Sequence, residues 1–219
     1  PAVIIANEFL DALPVRQFVK SGMAWWERCV DVDPETDEFK FVLGTGVPET
    51  PQMSQLLNAA RDGDIIEESP AVVSVVGDIA ARIAATGGAA LFIDYGHPYS
   101  AVGDTLQAVR RHKPVHPLDR PGTADLTSHV DFQRVREAAA GVQCWGPVGQ
   151  GVFLERIGIH ERADRLRARA NAREISDIDA ALARLISPTE MGNLFKIMAL
   201  GERRIEQLAG FESGSDHDA

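Results

Sequence analysis

With 219 residues, 45% of them apolar and 25% charged, the chain has the size and composition of one generous globular domain. Its net charge of −10 argues against a nucleic-acid or anionic-membrane binder, because phosphate affinity comes from clustered Lys and Arg. No apolar run approaches a membrane span, and two distant cysteines, Cys29 and Cys144, argue against a disulfide framework and a zinc site.

Residues 2–6, AVIIA, read as a short strand covered on both faces, since the run is β-branched and does not alternate. The chain opens at Pro1 inside this strand, which leads us to expect that an N-terminal part is missing. Residues 8–13 fit a helical turn stopped by Pro14. Segments 15–20, 23–32 and 39–43 are strand-like and separated by the turn-rich SGM and DPETD. They predict an antiparallel ribbon, residues 15–50, inserted into an α/β pattern, with Phe18, Trp25, Trp26, Phe39 and Phe41 as its apolar face. GTGVPETP reads as a loop and 51–61 as a helix.

Ser69 caps a helix with Pro70 in its first turn and apolar residues at Val72, Val75, Val76, Ile79, Ala80 and Ile83. TGG ends it. AALFID follows as a second buried strand, ending at Asp94, Tyr95 and Gly96, and Gly96 is expected to supply a left-handed turn. A helix between two buried strands predicts a βαβ unit with a parallel sheet. TLQAVRRHKPV reads as one extended strand leading into an ordered Pro-, Gly-, Asp- and His-rich loop. Beyond it, 131–140 is a helix, GVQCWGPV a strand, 151–157, 161–170 and 178–186 are helical, and 191–198 is a terminal element. Residues 1–212 read as one α/β domain, and 213–219 as a disordered tail.

Ligands of open parallel sheets bind at the carboxyl ends of strands. Two strands end in polar clusters here: Asn7, Glu8 and Asp11, and Asp94, Tyr95, Gly96 and His97. If the strands are parallel neighbours, the clusters share a crevice. Glu8 and Asp11 could equally cap a helix. His129 and Asp131 are further candidates, Asp131 equally as an N-cap. GPVGQG lacks the Lys and Ser/Thr of a P-loop and reads as a turn, and the Arg-rich ERADRLRARANARE as a solvated helix face. No G-x-S-x-G elbow supports a hydrolase.

The segments IIANEFLDALPVRQF, WWERCV, ALFIDYG, GDTLQAVRRHKPVHPLDRPGTADLTSHVDF, GPVGQGVFLERIGI and MGNLFKIMA, in this order, resemble the MidA family. This is the family of the mitochondrial complex I assembly arginine methyltransferase and its bacterial relatives. The resemblance implies a Rossmann-like methyltransferase sheet, S-adenosylmethionine as cofactor, and an arginine of a respiratory NADH dehydrogenase subunit as acceptor. The family's glycine-rich donor loop and ribose-binding acid have no counterpart here. The resemblance thus makes AVIIA about the fourth strand and ALFID the fifth, in the C-terminal part of the enzyme.

The same resemblance places Asn7 and Glu8 beside the donor's methyl group. The expected catalytic set is Asn7, Glu8 and Asp11, with Asn7 and Glu8 also touching the cofactor and no metal. Asp94, Tyr95, His129 and Asp131 are expected to hold substrate, His129 or Asp131 taking up the proton. The expected partner is a protein, with no nucleic acid and no membrane insertion; a homodimer stays open. The expected compartment is the bacterial cytoplasm, the alternative the mitochondrial matrix. The rival reading is a non-catalytic assembly factor that grips a client through the aromatic ribbon around Trp25 and Trp26.

Overall fold

A computed structural model describes residues 1–47, 50–57 and 59–212. The elements in chain order are β1 (Ala2–Asn7), β2 (Arg16–Ser21), β3 (Ala24–Val32), β4 (Phe39–Gly46), α1 (Pro51–Leu57), β5 (Ile65–Glu68), α2 (Pro70–Thr86) and β6 (Gly88–His97). They continue with β7 (Gln107–Arg110), β8 (Lys113–Val115), β9 (Asp125–Thr127), β10 (Val130–Asp131), α3 (Phe132–Ala138), β11 (Gln143–Gly149) and α4 (Gln150–Arg156). The last are α5 (Ile159–Arg167), α6 (Ala172–Ile186), α7 (Met191–Leu194) and β12 (Phe195–Gly201). The tail expected at 213–219, and Pro48 and Glu49 of the GTGVPETP loop, lie outside the described residues.

The main sheet is mixed. Its strand order is β1-β6-β12-β11, with β10 also pairing β6. β1 and β10 run parallel to β6, whereas β12 runs antiparallel to both β6 and β11. The predicted β–helix–β unit is present as β1, α2 and β6. Ser69 caps α2 by accepting from the Val72 N–H, Pro70 opens its first turn, and Gly87 at φ +75 closes it. Val72, Val76, Ala80 and Ile83 form the buried stripe, meeting Phe92, Phe132, Val135, Met198 and Leu200 in the main core. Each such side chain contributes about 1.5–3 kcal/mol by leaving water.

β1 differs from its expectation. Ile4 and Ala6 pack on the core, but Val3 and Ile5 are 81% and 68% exposed. A continuous apolar run cannot distinguish a doubly covered strand from one whose second face meets nothing among the described residues.

The predicted ribbon is a separate four-stranded antiparallel sheet, β4-β3-β2-β5. Its fourth strand, Ile65–Glu68, is too short to carry a periodic signal. The ribbon buries Phe18 and Trp25 with Met53 and Ile66, while Phe39 is 47% exposed. Residues 44–46, read as loop, extend β4, and the helix expected over 51–61 stops at Leu57.

TLQAVRRHKPV is a hairpin rather than one strand. β7 pairs with β8 and, on its other side, with β9. The turn is built by Arg111 and His112 at φ +52 and +62, positions where hairpins ordinarily place Asn or Gly, so no turn residue announced it. Gly96 is likewise not left-handed. It lies within β6, and a Cβ there would sit 2.0 Å from the Val130 carbonyl oxygen, so its missing side chain lets β10 pair. In the last expected element, α7 hands over at Phe195 to β12, which fills the middle of the sheet.

Candidate active site at the carboxyl ends of two parallel strands

The β1–β6 register sets Asn7 against Ile93, so the polar clusters after both strands emerge at one end. The Glu8 N–H donates to the Ile93 carbonyl at 2.9 Å, and the chain then turns sharply, with Glu8 at φ +47. Residues 8–13 form no regular helix but close one turn before Pro14, the Leu13 N–H donating to the Leu10 carbonyl at 3.2 Å. A left-handed glutamate carries backbone strain that its surroundings must hold.

Asp94 holds it. One carboxylate oxygen accepts from the amides of Phe9 at 3.2 Å, Leu10 at 3.0 Å and Asp11 at 3.3 Å. The other accepts from the Tyr95 amide at 3.0 Å. Asp94 is 1% exposed, so its carboxylate is committed to the loop backbone rather than to a wall facing substrate. Burial, and then the nearby Asp11 charge, push its pKa up to about 6 against the opposing pull of the amide bonds. The sequence offered no means of telling a ligand-facing carboxylate from one folded back onto amides.

Asp11 is 3% exposed, and its Oδ1 has no hydrogen-bond partner among the described residues. Buried polar atoms are nearly always paired, so the unpartnered Oδ1 is an exception in a carboxylate that otherwise faces the Tyr95 hydroxyl. The Asp11 carbonyl accepts from the Ser128 amide at 3.0 Å, drawing the β9–β10 segment to the rim. Tyr95 stands edge-on between His129, at 5.6 Å between ring centres, and Phe195, at 5.5 Å. Burial raises its phenol pKa above the ordinary value, with Asp11 adding as an acceptor. The hydroxyl stays protonated at neutral pH.

Burial, with His97 and Lys196 nearby, lowers the His129 pKa against the pull of Glu67, which favours the neutral imidazole. Asp131 takes the capping role that the sequence left open. Its Oδ1 accepts from the amides of Gln133 and Arg134 at the start of α3, and its Oδ2 from the Ser100 hydroxyl. Both residues line a cleft of about 230 Å³ with Leu10, Glu67 and Arg134.

The structure therefore joins Asp11, Asp94, Tyr95 and His129 into one contiguous set. Asn7 and Glu8 stand on the exposed rim, with the Asn7 amide 3.4 Å from the Glu8 carboxylate. Asp131 sits in the neighbouring cleft.

Sequence reasoning missed Glu67. Its Oε1 accepts from the Gln17 side chain at 2.7 Å and from the Thr105 and Leu106 amides. Its Oε2 takes the Thr105 hydroxyl, whose oxygen accepts from the His129 amide at 2.8 Å. Glu67 so couples the ribbon to the His129 segment. An acid ending a short apolar run, in IIEE, was its one local signal.

Comparison with known proteins gives three concordant findings. The family model described as "Putative S-adenosyl-L-methionine-dependent methyltransferase" matches residues 1–148. The chain is 36% identical over 199 residues to human "Protein arginine methyltransferase NDUFAF7, mitochondrial", covering 90% of this chain and 44% of that protein. The Drosophila melanogaster homolog of that protein is 35% identical over 206 residues, 91% of this chain and 47% of its own length. The chain thus spans a little under half the length of these curated relatives. A crystal structure of a COG1565 superfamily member from Burkholderia thailandensis, bound to S-adenosyl-homocysteine, superposes with a TM-score of 0.82. That match has 32% identity and covers 95% of this chain and 55% of the other.

Proposed function

The chain belongs to this family of S-adenosyl-L-methionine-dependent methyltransferases, and on that premise we propose that it forms the acceptor side of a protein arginine methyltransferase. The observation that carries the reading is the polar cluster that follows β1, exposed Asn7 and Glu8 and then buried Asp11 with an unpartnered Oδ1. These acceptor oxygens suit a cation, whether the sulfonium and ammonium of the donor or a guanidinium. Bound S-adenosylmethionine would supply an electrophilic methyl group. Asn7 and Glu8 would hold the donor's cationic end and orient the acceptor nitrogen, Glu8 pairing with the guanidinium and Asp11 supporting it from below. Tyr95 lines the neighbouring wall, and neutral His129 takes up the proton that the guanidinium must shed. Asp94 and Asp131 shape the loops that carry these groups.

The acceptor we propose is a subunit of respiratory NADH dehydrogenase. The support is the name of the curated relatives, mitochondrial arginine methyltransferases, together with the sequence resemblance. The compartment follows from that acceptor: the cytoplasm in a bacterium, or the matrix in a mitochondrion. We further propose one α/β domain over residues 1–212, with residues 15–50 as an insertion and the remaining sheet strands pairing along β1. The end position of β1 in the sheet supports this as an edge that further strands would pair, and the exposed Val3 and Ile5 as an apolar face that a further layer would cover. On this reading the 219 residues bind S-adenosylmethionine weakly by themselves; tight binding in calorimetry would overturn the truncation.

The non-catalytic assembly factor finds less support. Trp25 is 0% exposed in the ribbon core, although Val30, Phe39 and Leu43 leave the ribbon an exposed apolar surface. The decisive test is Glu8→Ala in the full-length protein, with methylated arginine in NADH dehydrogenase subunits read by mass spectrometry. Methylation should disappear while folding is retained. Full methylation would remove Glu8 from the reaction.

A further inference from the structure

The β7–β8 hairpin collects cations in a chain that carries a large net negative charge. Arg110, Arg111, Lys113 and Arg120 line a basin of about 630 Å³ whose one acidic lining residue is Asp125. Arg111, His112 and Lys113 are all exposed, and no ion pair holds Arg111 or Lys113 among the described residues. Arg110 is anchored instead, through Nη1 to the Asp119 carboxylate at 2.8 Å and through Nη2 to the Asp119 carbonyl at 2.5 Å. Arg120 is 76% exposed and its Nε lies 3.4 Å from the same Asp119 carboxylate, so among the described residues the unpaired charge of the basin is that of Arg111 and Lys113. The tip is strained as well as charged. Arg111, His112 and Arg120 all adopt left-handed backbone, where Asn or Gly would relax the turn. The pairing of β7 with β8 and β9 holds that strain at Arg111 and His112, so the two exposed side chains are fixed in place at the tip.

The base of the hairpin is also tied to the His129 segment. β7 begins two residues after Thr105, whose hydroxyl oxygen accepts from the His129 amide, and β9, paired to β7, leads through Ser128 to His129. We infer that this basic hairpin is a docking surface for an acidic segment of a protein partner, held beside the site so that the acceptor arginine reaches the Asn7–Glu8 rim. A short peptide within a Debye length of the hairpin feels the local positive charge. An extended polyphosphate or lipid surface also meets the negative remainder of the molecule and is repelled. The purpose assigned to the captured segment rests on the function proposed above, but the binding needs no methyl transfer.

The test is fluorescence anisotropy of the protein with two labelled peptides of equal length. One is rich in Asp and Glu around a single arginine, and the other has every acid replaced by its amide. The acidic peptide should bind about tenfold more tightly at low salt, with the preference fading at high salt. Arg111→Glu with Lys113→Glu should abolish the preference. Arg111→Asn with Lys113→Gln should abolish it too, although asparagine suits the left-handed position, so the loss reports charge and not hairpin unfolding. Equal binding of the two peptides, an unchanged preference in the second variant, or tighter binding of phosphatidylserine vesicles or single-stranded RNA would each overturn the inference. Glu8→Ala should keep the preference, which separates failure of this surface from failure of the proposed reaction.

Discussion

Two buried polar residues, six positions apart in the chain, sit in contrasting surroundings. Gln17 in the ribbon is 5% exposed and well bonded. Its amide nitrogen donates to Glu67 at 2.7 Å and Asp104 at 2.8 Å, and its oxygen accepts from Arg28 at 3.1 Å. Asp11 is 3% exposed and keeps one carboxylate oxygen unpaired beside a second buried acid. Burial makes either group costly to leave unpaired, so a satisfied network reads as a structural junction and an orphaned one as a group held for a ligand. Gln17 fastens the ribbon to the 104–106 loop, and Asp11 keeps an oxygen without a partner among the described residues.

The sharpest break in that contrast is activity without stability. On the proposed function, Glu8→Ala should lower arginine methylation about 100-fold or more with an unchanged melting temperature, as expected for an exposed group acting on the reactants. Gln17→Leu should do the reverse. It leaves Glu67, Asp104 and Arg28 short of partners and should cost about 2–3 kcal/mol in urea unfolding.

A pH series sharpens the acidic side. The Asp94 pKa of about 6 lies above the value near 4 of an unfolded aspartate. Between those values the folded state holds a proton that the unfolded state has released, so stability falls as pH rises through the window. The contribution is at most about 1.4 kcal/mol per pH unit. Urea midpoints from pH 4 to 7 should show this slope in the wild type relative to Asp94→Asn. The smallest effect is expected from Asp11→Asn, which removes the like charge beside Asp94. Stability should change by less than about 1 kcal/mol while the Asp94 pKa falls, as carboxyl NMR titration would record.

Much of the frame was legible from local pattern. The Ser69–Pro70 start of α2, its stripe from Val72 to Ile83 and the buried β6 follow from capping chemistry and periodicity, which act within a few residues. The capping of α3 by Asp131 was visible for the same reason, as one of two open readings. The hairpin turn at Arg111 and His112 was illegible because neither residue favours left-handed backbone, and only the pairing of β7 with β8 and β9 imposes it. Glu67 was illegible because its partners, Gln17 and Thr105, lie 50 and 38 residues away.

By itself the sequence determined which residues could carry chemistry: an amide and two acids after one strand, an acid and a tyrosine after another, and a histidine in an ordered loop. Tertiary structure alone decided their roles. It turned Asp94 onto three amides, left the Asp11 oxygen unpaired, set Tyr95 against His129 and kept Asn7 and Glu8 in water. Residue type sets what a group can donate, accept or ionise, whereas burial and long-range partners set whether it is free to do so.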